Sequence, residues 1–233
     1  MTDDSTNTNF AECLAPTPFI ERDAPAVQAF VARVAGDAQT DVDKAVRLFY
    51  AVRDEIRYDP YGIVLTVDGL KATTTLETGR GFCISKAVLL AAAARAAGIP
   101  ARLGFADVRN HLTTERLKAE MGTDVFAYHG FTELWLGGRW IKATPTFNRT
   151  LCERFGVKTL DFDGKSDAVF HSFDAAGKRH MEYVRDRGHA IDVPLEDIEG
   201  VWREFYPDLP SGEPAAATGD FEREAEEDAA RKA

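Results

Sequence analysis

An α+β fold is what this 233-residue sequence predicts, and three features predict it. The first hundred residues carry helical apolar spacing. A run with no polar face, ISKAVLLAAAARAA from Ile84 to Ala97, closes that half. After Pro100 the pattern turns to strands, and Leu136-Gly137-Gly138-Arg139 supplies a tight hairpin turn. Helices first and strands after is the segregated order of an α+β domain.

The elements follow in chain order. Val27, Phe30, Val31 and Val34 recur at helical spacing ahead of Gly36, a C-terminal stop. Thr40 or Asp41 caps a second helix with the stripe Ala45, Leu48, Phe49, Val52 and Ile56, ended by Asp59-Pro60. A turn-rich stretch through Thr73-Thr74-Thr75 leads to Gly79 and Gly81. The Ile84–Ala97 run is closed by Gly98-Ile99-Pro100; a helix apolar all round is buried all round, which puts it at the centre. Strands are expected over Ala101–Val108, Val125–Leu136 and Arg139–Phe147. With Gly137 and Gly138 as a two-residue primed turn, paired residues sum to 275. His129 then faces Thr146, Phe131 faces Thr144, Glu133 faces Lys142 as a cross-strand ion pair, and Trp135 faces Trp140, all eight side chains on one side of the pair. Farther on, a short helix near Cys152, strand between Asp161 and Tyr183, and a closing helix Leu195–Phe205 are expected.

Composition bounds the function. Twenty-eight basic against thirty-eight acidic residues leave a net charge of −10, which disfavours nucleic acid and anionic lipid as partners. The longest near-apolar run is too short to span a bilayer, and the acidic, hydroxyl-rich start lacks the pattern of a signal peptide. Three scattered cysteines argue against a disulfide framework and for a reducing, cytoplasmic setting. Residues 1–18 are expected to be flexible, 19–210 one domain, and 211–233 a disordered acidic tail, or at best a solvated helix from Phe221 to Ala230. That tail holds seven acids, three bases and one large apolar residue, Phe221.

Cys83 carries the first chemical signal. It stands at the start of the buried helix, where the helix dipole and unsatisfied N–H groups stabilise a thiolate; Gly79 and Gly81 clear the approach. A lone cysteine before a helix is more often inert core than nucleophile. A thiolate needs a base, and His129, in the strand YHGFTELWL, is the best placed of five histidines. A satisfied core histidine is its simpler reading. Metal chemistry lacks paired ligands: there is no Cys-x-x-Cys and no His pair at i, i+4. His171, His180 and His189 read as solvated surface, Cys13 and Cys152 as bystanders. No cofactor is called for.

Three blocks resemble the transglutaminase-like superfamily. Gly81-Phe82-Cys83 precedes an alanine- and leucine-rich helix that ends in Arg95-Ala96-Ala97-Gly98-Ile99-Pro100-Ala101-Arg102. His129-Gly130-Phe131-Thr132-Glu133 is similar to the second block, and Trp140-Ile141-Lys142-Ala143-Thr144-Pro145-Thr146 to the third. Order and spacing agree over about residues 40–148. The resemblance implies a papain-like arrangement, with a central Cys-bearing helix packed on an antiparallel sheet that carries the His. It implies Cys83 as nucleophile, His129 as general base, and an imidazole-orienting acid at the position of Thr144. Threonine there brings no charge; Glu133, Asp107 and Asp163 are candidate substitutes. Tyr58, Phe82 and Phe131 are the expected oxyanion and substrate-pocket residues, with the Cys83 amide as first oxyanion donor and a polar residue between Thr73 and Thr78 as another option. The expected activity is acyl transfer on a small-molecule or peptide amide, ending in hydrolysis. The rival is a non-catalytic binding module that kept the fold while its triad decayed, for which Thr144 is the main support.

Overall fold

The helical half forms as its apolar spacing requires. In a computed structural model, which describes residues 9–110, 113–169, 181–207 and 219–232, α1 spans Pro25–Ala35 and buries Val27 and Phe30. α2, Asp41–Glu55, opens on Thr40, whose hydroxyl accepts the Asp43 amide at 3.1 Å. Its buried stripe contains Ala45, Leu48, Phe49 and Val52. The stretch expected as turns holds two short helices instead, α3 (Val67–Leu70) and α4 (Ala72–Thr78). Threonine is a poor helix former, but here the hydroxyls of Thr75 and Thr78 bond back to the carbonyls of Lys71 and Thr74. Glu21 takes the Thr73 amide at the open first turn. Two-residue strands β1 (Arg57–Tyr58) and β2 (Arg80–Gly81) then pair in parallel, so Tyr58 lies beside Gly81.

α5, Cys83–Ala96, is buried from Cys83 through Arg95, as its missing polar face predicts. Two cations are buried with it, each satisfied by backbone carbonyls. Lys86 donates to Arg53 and Ile56 at the end of α2. Arg95 donates to Ala15, Ala101 and Ile191 and so ties three distant segments to the helix.

The sheet is antiparallel, in the order β5 (Arg139–Ala143), β4 (Val125–Leu136), β3 (Ala101–Asn110), β6 (Met181–Ala190). The hairpin register is the expected one, with Glu133 opposite Lys142 and Trp135 opposite Trp140. Gly137 and Gly138 both take positive φ, 58° and 84°, as a primed turn demands. β5 stops at Ala143, short of Phe147. Thr144 leaves the ladder and gives its amide to Ala168, so the expected pairings of His129 with Thr146 and Phe131 with Thr144 fall beyond the last paired residues. β4 packs on α5, and the Thr132 hydroxyl donates to the Ala87 carbonyl at 2.9 Å. The fold is α+β.

α6 (Glu115–Met121), α7 (Arg149–Phe155) and α8 (Leu195–Phe205) complete the body. The expected helices near Cys152 and over Leu195–Phe205 are the last two of these. Of the strand anticipated between Asp161 and Tyr183, residues 170–180, and with them His171 and His180, lie outside the described residues. His189 is exposed in β6. Among the described residues no helix is long and apolar enough to cross a membrane.

Both ends depart from expectation where they are described. Residues 9–18 pack on the body: Phe10 meets Trp135 at 4.9 Å between centroids, and Cys13 is fully buried. At the other end α9 (Phe221–Lys232) forms as the helix expected as the alternative to disorder, but only one face is solvated, while Phe221, Glu222 and Ala225 are buried. Phe221 inserts among Tyr58, Tyr61 and Phe155. The tail's acids meet arginines of the body: Glu222 faces Arg57 and Arg154, and Glu224 faces Arg116.

Candidate active site

Cys83 is the first residue of α5, in the turn whose N–H groups have no intrahelical acceptor. The turn is set by Ser85, whose hydroxyl accepts the Phe82 amide at 3.0 Å. Gly81 is required by that contact, since a Cβ there would stand 2.5 Å from Ser85 Oγ. Gly79 is required by its φ of 62° at the end of α4. Both glycines thus shape the entry to α5, whereas the sequence suggested that they clear a path to the sulfur.

The sheet delivers a second group to the same place. β5 ends opposite Thr132, so Gly130 lies past the β4–β5 ladder. Its backbone crosses the start of α5 so closely that a Cβ would lie 3.0 Å from Ile84 Cα. That places the Gly130 backbone beside Cys83, the residue that precedes Ile84. His129, the residue just before Gly130, is buried, and by alternation its side chain leaves the strand on the side that Phe131 shares, one residue from where the backbone crosses α5.

Burial dominates the electrostatics of both groups. It pushes the Cys83 thiol up to about 11, against the amides of Gly130, Ile84 and Cys83, which pull it down. It pushes the His129 imidazole down to about 4. The sequence pointed to a thiolate stabilised by the helix start. In the structure desolvation outweighs that dipole, because only 8 % of the Cys83 surface is exposed. At neutral pH both groups are therefore uncharged.

Much of the enclosure comes from α8, which carries no motif. Trp202 packs on Phe82, with centroids 6.2 Å apart, and donates to the Ala127 carbonyl. Tyr206, at the end of α8, accepts the Ala127 amide and donates to the Val125 carbonyl. Burial, and after it the Ala127 contact and the neighbouring Cys83 and Asp107, shift the Tyr206 phenol, with a net effect upward. Tyr58 sits on the other side, edge-on to Phe147 and Phe221; burial and then the Cys83 thiol hold its phenol neutral, well above the usual value. The role of Trp202 and Tyr206 on α8 becomes readable only once the sheet is in place.

Phe82, Tyr58 and Cys83 are thus neighbours. Phe131 is not among them: it alternates with Thr132, so it leaves the sheet on the side away from α5. There, beneath Lys142, it lines a cavity of about 240 Å³ with Ala106, Tyr183 and Asp186. The threonines of α4 are engaged with their own helix, Glu21 and the Asp68 carbonyl of α3. Thr144 is buried, and its hydroxyl makes no hydrogen bond among the described residues. The three candidate acids are committed elsewhere. Glu133 bonds Arg102 on β3 at 2.5 Å, not Lys142, because that guanidinium also stacks on Trp140 and is buried with it. Asp163 is exposed and caps the amides of Lys165 and Ser166. Asp107 holds Arg187 with both oxygens. No group of three or more metal-binding side chains occurs among the described residues.

A family model described as the transglutaminase-like superfamily matches residues 28–145, half of the chain and all three motif blocks. The chain belongs to the transglutaminase-like superfamily. At that level it stands among cysteine-dependent hydrolases and transferases. Two solved structures are similar. One, described as a putative cysteine protease from Cytophaga hutchinsonii, has 21% identity and a TM-score of 0.47, and the match covers 60% of this chain and 43% of that one. The other, a putative protease from Parabacteroides distasonis, has 14% identity and a TM-score of 0.39, over 58% of this chain and 26% of that one. The transglutaminase-like chain therefore spans less than half of either. No curated protein matches it.

Proposed function

We propose that this transglutaminase-like protein hydrolyses an amide of a small molecule or peptide, with Cys83 as nucleophile and His129 as general base. The observation that carries this is the close crossing of the Gly130 backbone over the start of α5, next to Cys83 and one residue from His129. Because both groups are neutral at pH 7, the proton moves during attack rather than before it. His129 takes the thiol proton as sulfur bonds the carbonyl carbon, and the C=O pair moves onto oxygen. The free amides at the start of α5 stabilise that oxyanion, with the neutral Tyr58 phenol beside them. Collapse breaks the C–N bond, and the imidazolium protonates the departing amine. Water then attacks the thioester with His129 again as base, releasing the acid and restoring the thiol.

The test is turnover of peptide and aryl amides, together with iodoacetamide alkylation of Cys83 across pH. Cys83→Ser and His129→Ala are each expected to abolish turnover, by about 10³-fold or more, and His129→Ala to slow alkylation at neutral pH. Turnover that survives Cys83→Ser would overturn the reading.

The empty third position favours one alternative, a non-catalytic module on the same fold, since Thr144 supplies no charge to an imidazolium. That reading expects Cys83 to resist alkylation until the protein unfolds. It also separates from ours at Thr144→Asp. A carboxylate beside the imidazole raises its basicity, so the variant is expected to alkylate faster than wild type at pH 7, checked by mass spectrometry against intact folding.

A further inference from the structure

β4 changes register immediately before His129. Ala106 pairs with His129, yet Val108 pairs with Phe126, so Asp107 on β3 faces two residues, Ala127 and Tyr128. This is a β-bulge, and its second residue is held at φ 56°, the left-handed region that side chains other than glycine rarely adopt. Tyr128 is the one non-glycine in that region among the described residues. Nothing about a tyrosine favours the conformation, so its surroundings must impose it.

Those surroundings are specific. The Tyr128 amide, turned out of the ladder, donates to Asp107 Oδ1 at 3.0 Å. Asp107 is itself fixed by a two-pronged bond from Arg187 on β6, 2.6 and 2.8 Å, with both side chains buried. The same guanidinium lies 4.6 Å over the Tyr128 ring. Acid, cation and ring thus close a loop around the strained residue, two planar hydrogen bonds at one corner and a stacked face at another. The register slip matters because side chains alternate: with the bulge His129 pairs with Ala106 and shares the Phe131 side of the sheet, whereas continuing the Val108–Phe126 register would pair it with Phe105, on the side that Gly130 turns to α5.

We propose that Asp107 and Arg187 are positioning residues of the active site, holding Tyr128 in its left-handed conformation and thereby setting where His129 stands relative to Cys83. The sequence offered Asp107 as an acid that touches the imidazole; the structure gives it the backbone one residue earlier. The proposal rests on the Cys83–His129 reading above.

The experiment measures iodoacetamide alkylation of Cys83 in the full chain at pH 7, with folding checked by circular dichroism, in six variants: His129→Ala, Asp107→Ala, Asp107→Asn, Tyr128→Gly, and Tyr128→Gly combined with each of the two Asp107 changes. Displacing the base by even an ångström costs up to about a hundredfold, so Asp107→Ala is expected to lose most of the His129-dependent rate. Asp107→Asn keeps an acceptor for the Tyr128 amide, and it is expected to lose less. Glycine adopts positive φ freely, so Tyr128→Gly placed in the Asp107→Ala background is expected to recover most of the rate. A merely stabilising ion pair would show no such rescue. An unrescued double variant overturns the proposal, as does an Asp107→Ala protein that alkylates like wild type while His129→Ala is slowed. If Asp107→Ala does not fold, Asp107→Asn decides: a wild-type rate with Tyr128→Gly also unchanged supports a backbone role, and a loss that Tyr128→Gly does not repair overturns it. Should His129→Ala itself leave alkylation unchanged, the underlying Cys–His reading fails, a result distinct from all of these.

Discussion

Phe221→Ala is expected to lower the melting temperature by several degrees and to release the C-terminal helix to protease. The ring is 3 % exposed, with centroids 5.4 Å from Tyr58 and 6.0 Å from both Tyr61 and Phe155. Removing a buried phenylalanine costs about 3–5 kcal/mol. In a protein of this size each kcal/mol shifts the midpoint by roughly 2–4 °C. Because α9 is a terminal element, the cost is capped at its whole docking energy, and the variant should therefore behave like a truncation after Gly219. Once α9 leaves, its polar contacts go with it. Asn148 loses Glu222 at 2.9 Å, Arg116 loses Glu224, and the first amide of α6 loses its cap, Asp228. Limited trypsin digestion at Arg223, read against the thermal scan, separates the outcomes. A variant that melts and digests like wild type would mean that α9 does not dock in solution.

That helix also shows where sequence reading stopped. Seven acids among few apolar residues satisfy every local criterion for a solvated tail. Their partners, Arg57, Arg116 and Arg154, lie about 70 to 165 positions earlier, and nothing in a local window points to them. The central helix was legible for the opposite reason. Absence of a polar face is a property of one segment, and it dictates burial whatever the neighbours are. The hairpin was legible through its two glycines, which fixed the register down to Trp135 opposite Trp140. Local rules failed again where two partners competed. Glu133 has Lys142 on one side and Arg102 on the other, and only three-dimensional packing, with Arg102 stacked on Trp140, decides for the arginine. At the proposed site, Cys83 and His129 are candidates that could be named from residue type and motif alone. The bulge that precedes His129 could not, since tyrosine carries no signature of positive φ. Nor could the balance of forces on the thiol: the helix start was visible, but the cover from Trp202 and Tyr206 at the end of α8 and from Tyr58 on β1 comes from two distant parts of the chain.

Lys86 gives the protein an alkaline rise in stability that a methionine in its place should remove. The side chain is fully buried, and Nζ donates to the Arg53 carbonyl at 3.0 Å and the Ile56 carbonyl at 2.6 Å, groups that the end of α2 would otherwise leave bare. Burial, the largest influence, pushes the amine down to about 7. In the unfolded chain it returns to about 10.4. Between those values the unfolded state binds a proton that the folded state does not, so stability increases with pH from about 7 upward. The window closes near 9, where the buried thiols Cys83 and Cys152, both pushed up to about 11, begin to act in the opposite sense: unfolded thiols ionise there while folded ones keep their protons. Two pH units correspond to about 3 kcal/mol. Urea unfolding at pH 7, 8 and 9 is therefore expected to show wild type gaining about that much on Lys86→Met. At pH 9 the variant should be the less stable, because two buried carbonyls lose their donor at about 1–3 kcal/mol each. At pH 7 the gap should shrink or invert, since the wild type then bears the cost of a partly charged buried amine. Parallel curves would mean that Lys86 reaches solvent. Since Lys86 stands one turn beyond Cys83 on α5, the same contact anchors the Cys83 turn to the end of α2, and the variant's alkylation rate should fall wherever that anchor is lost.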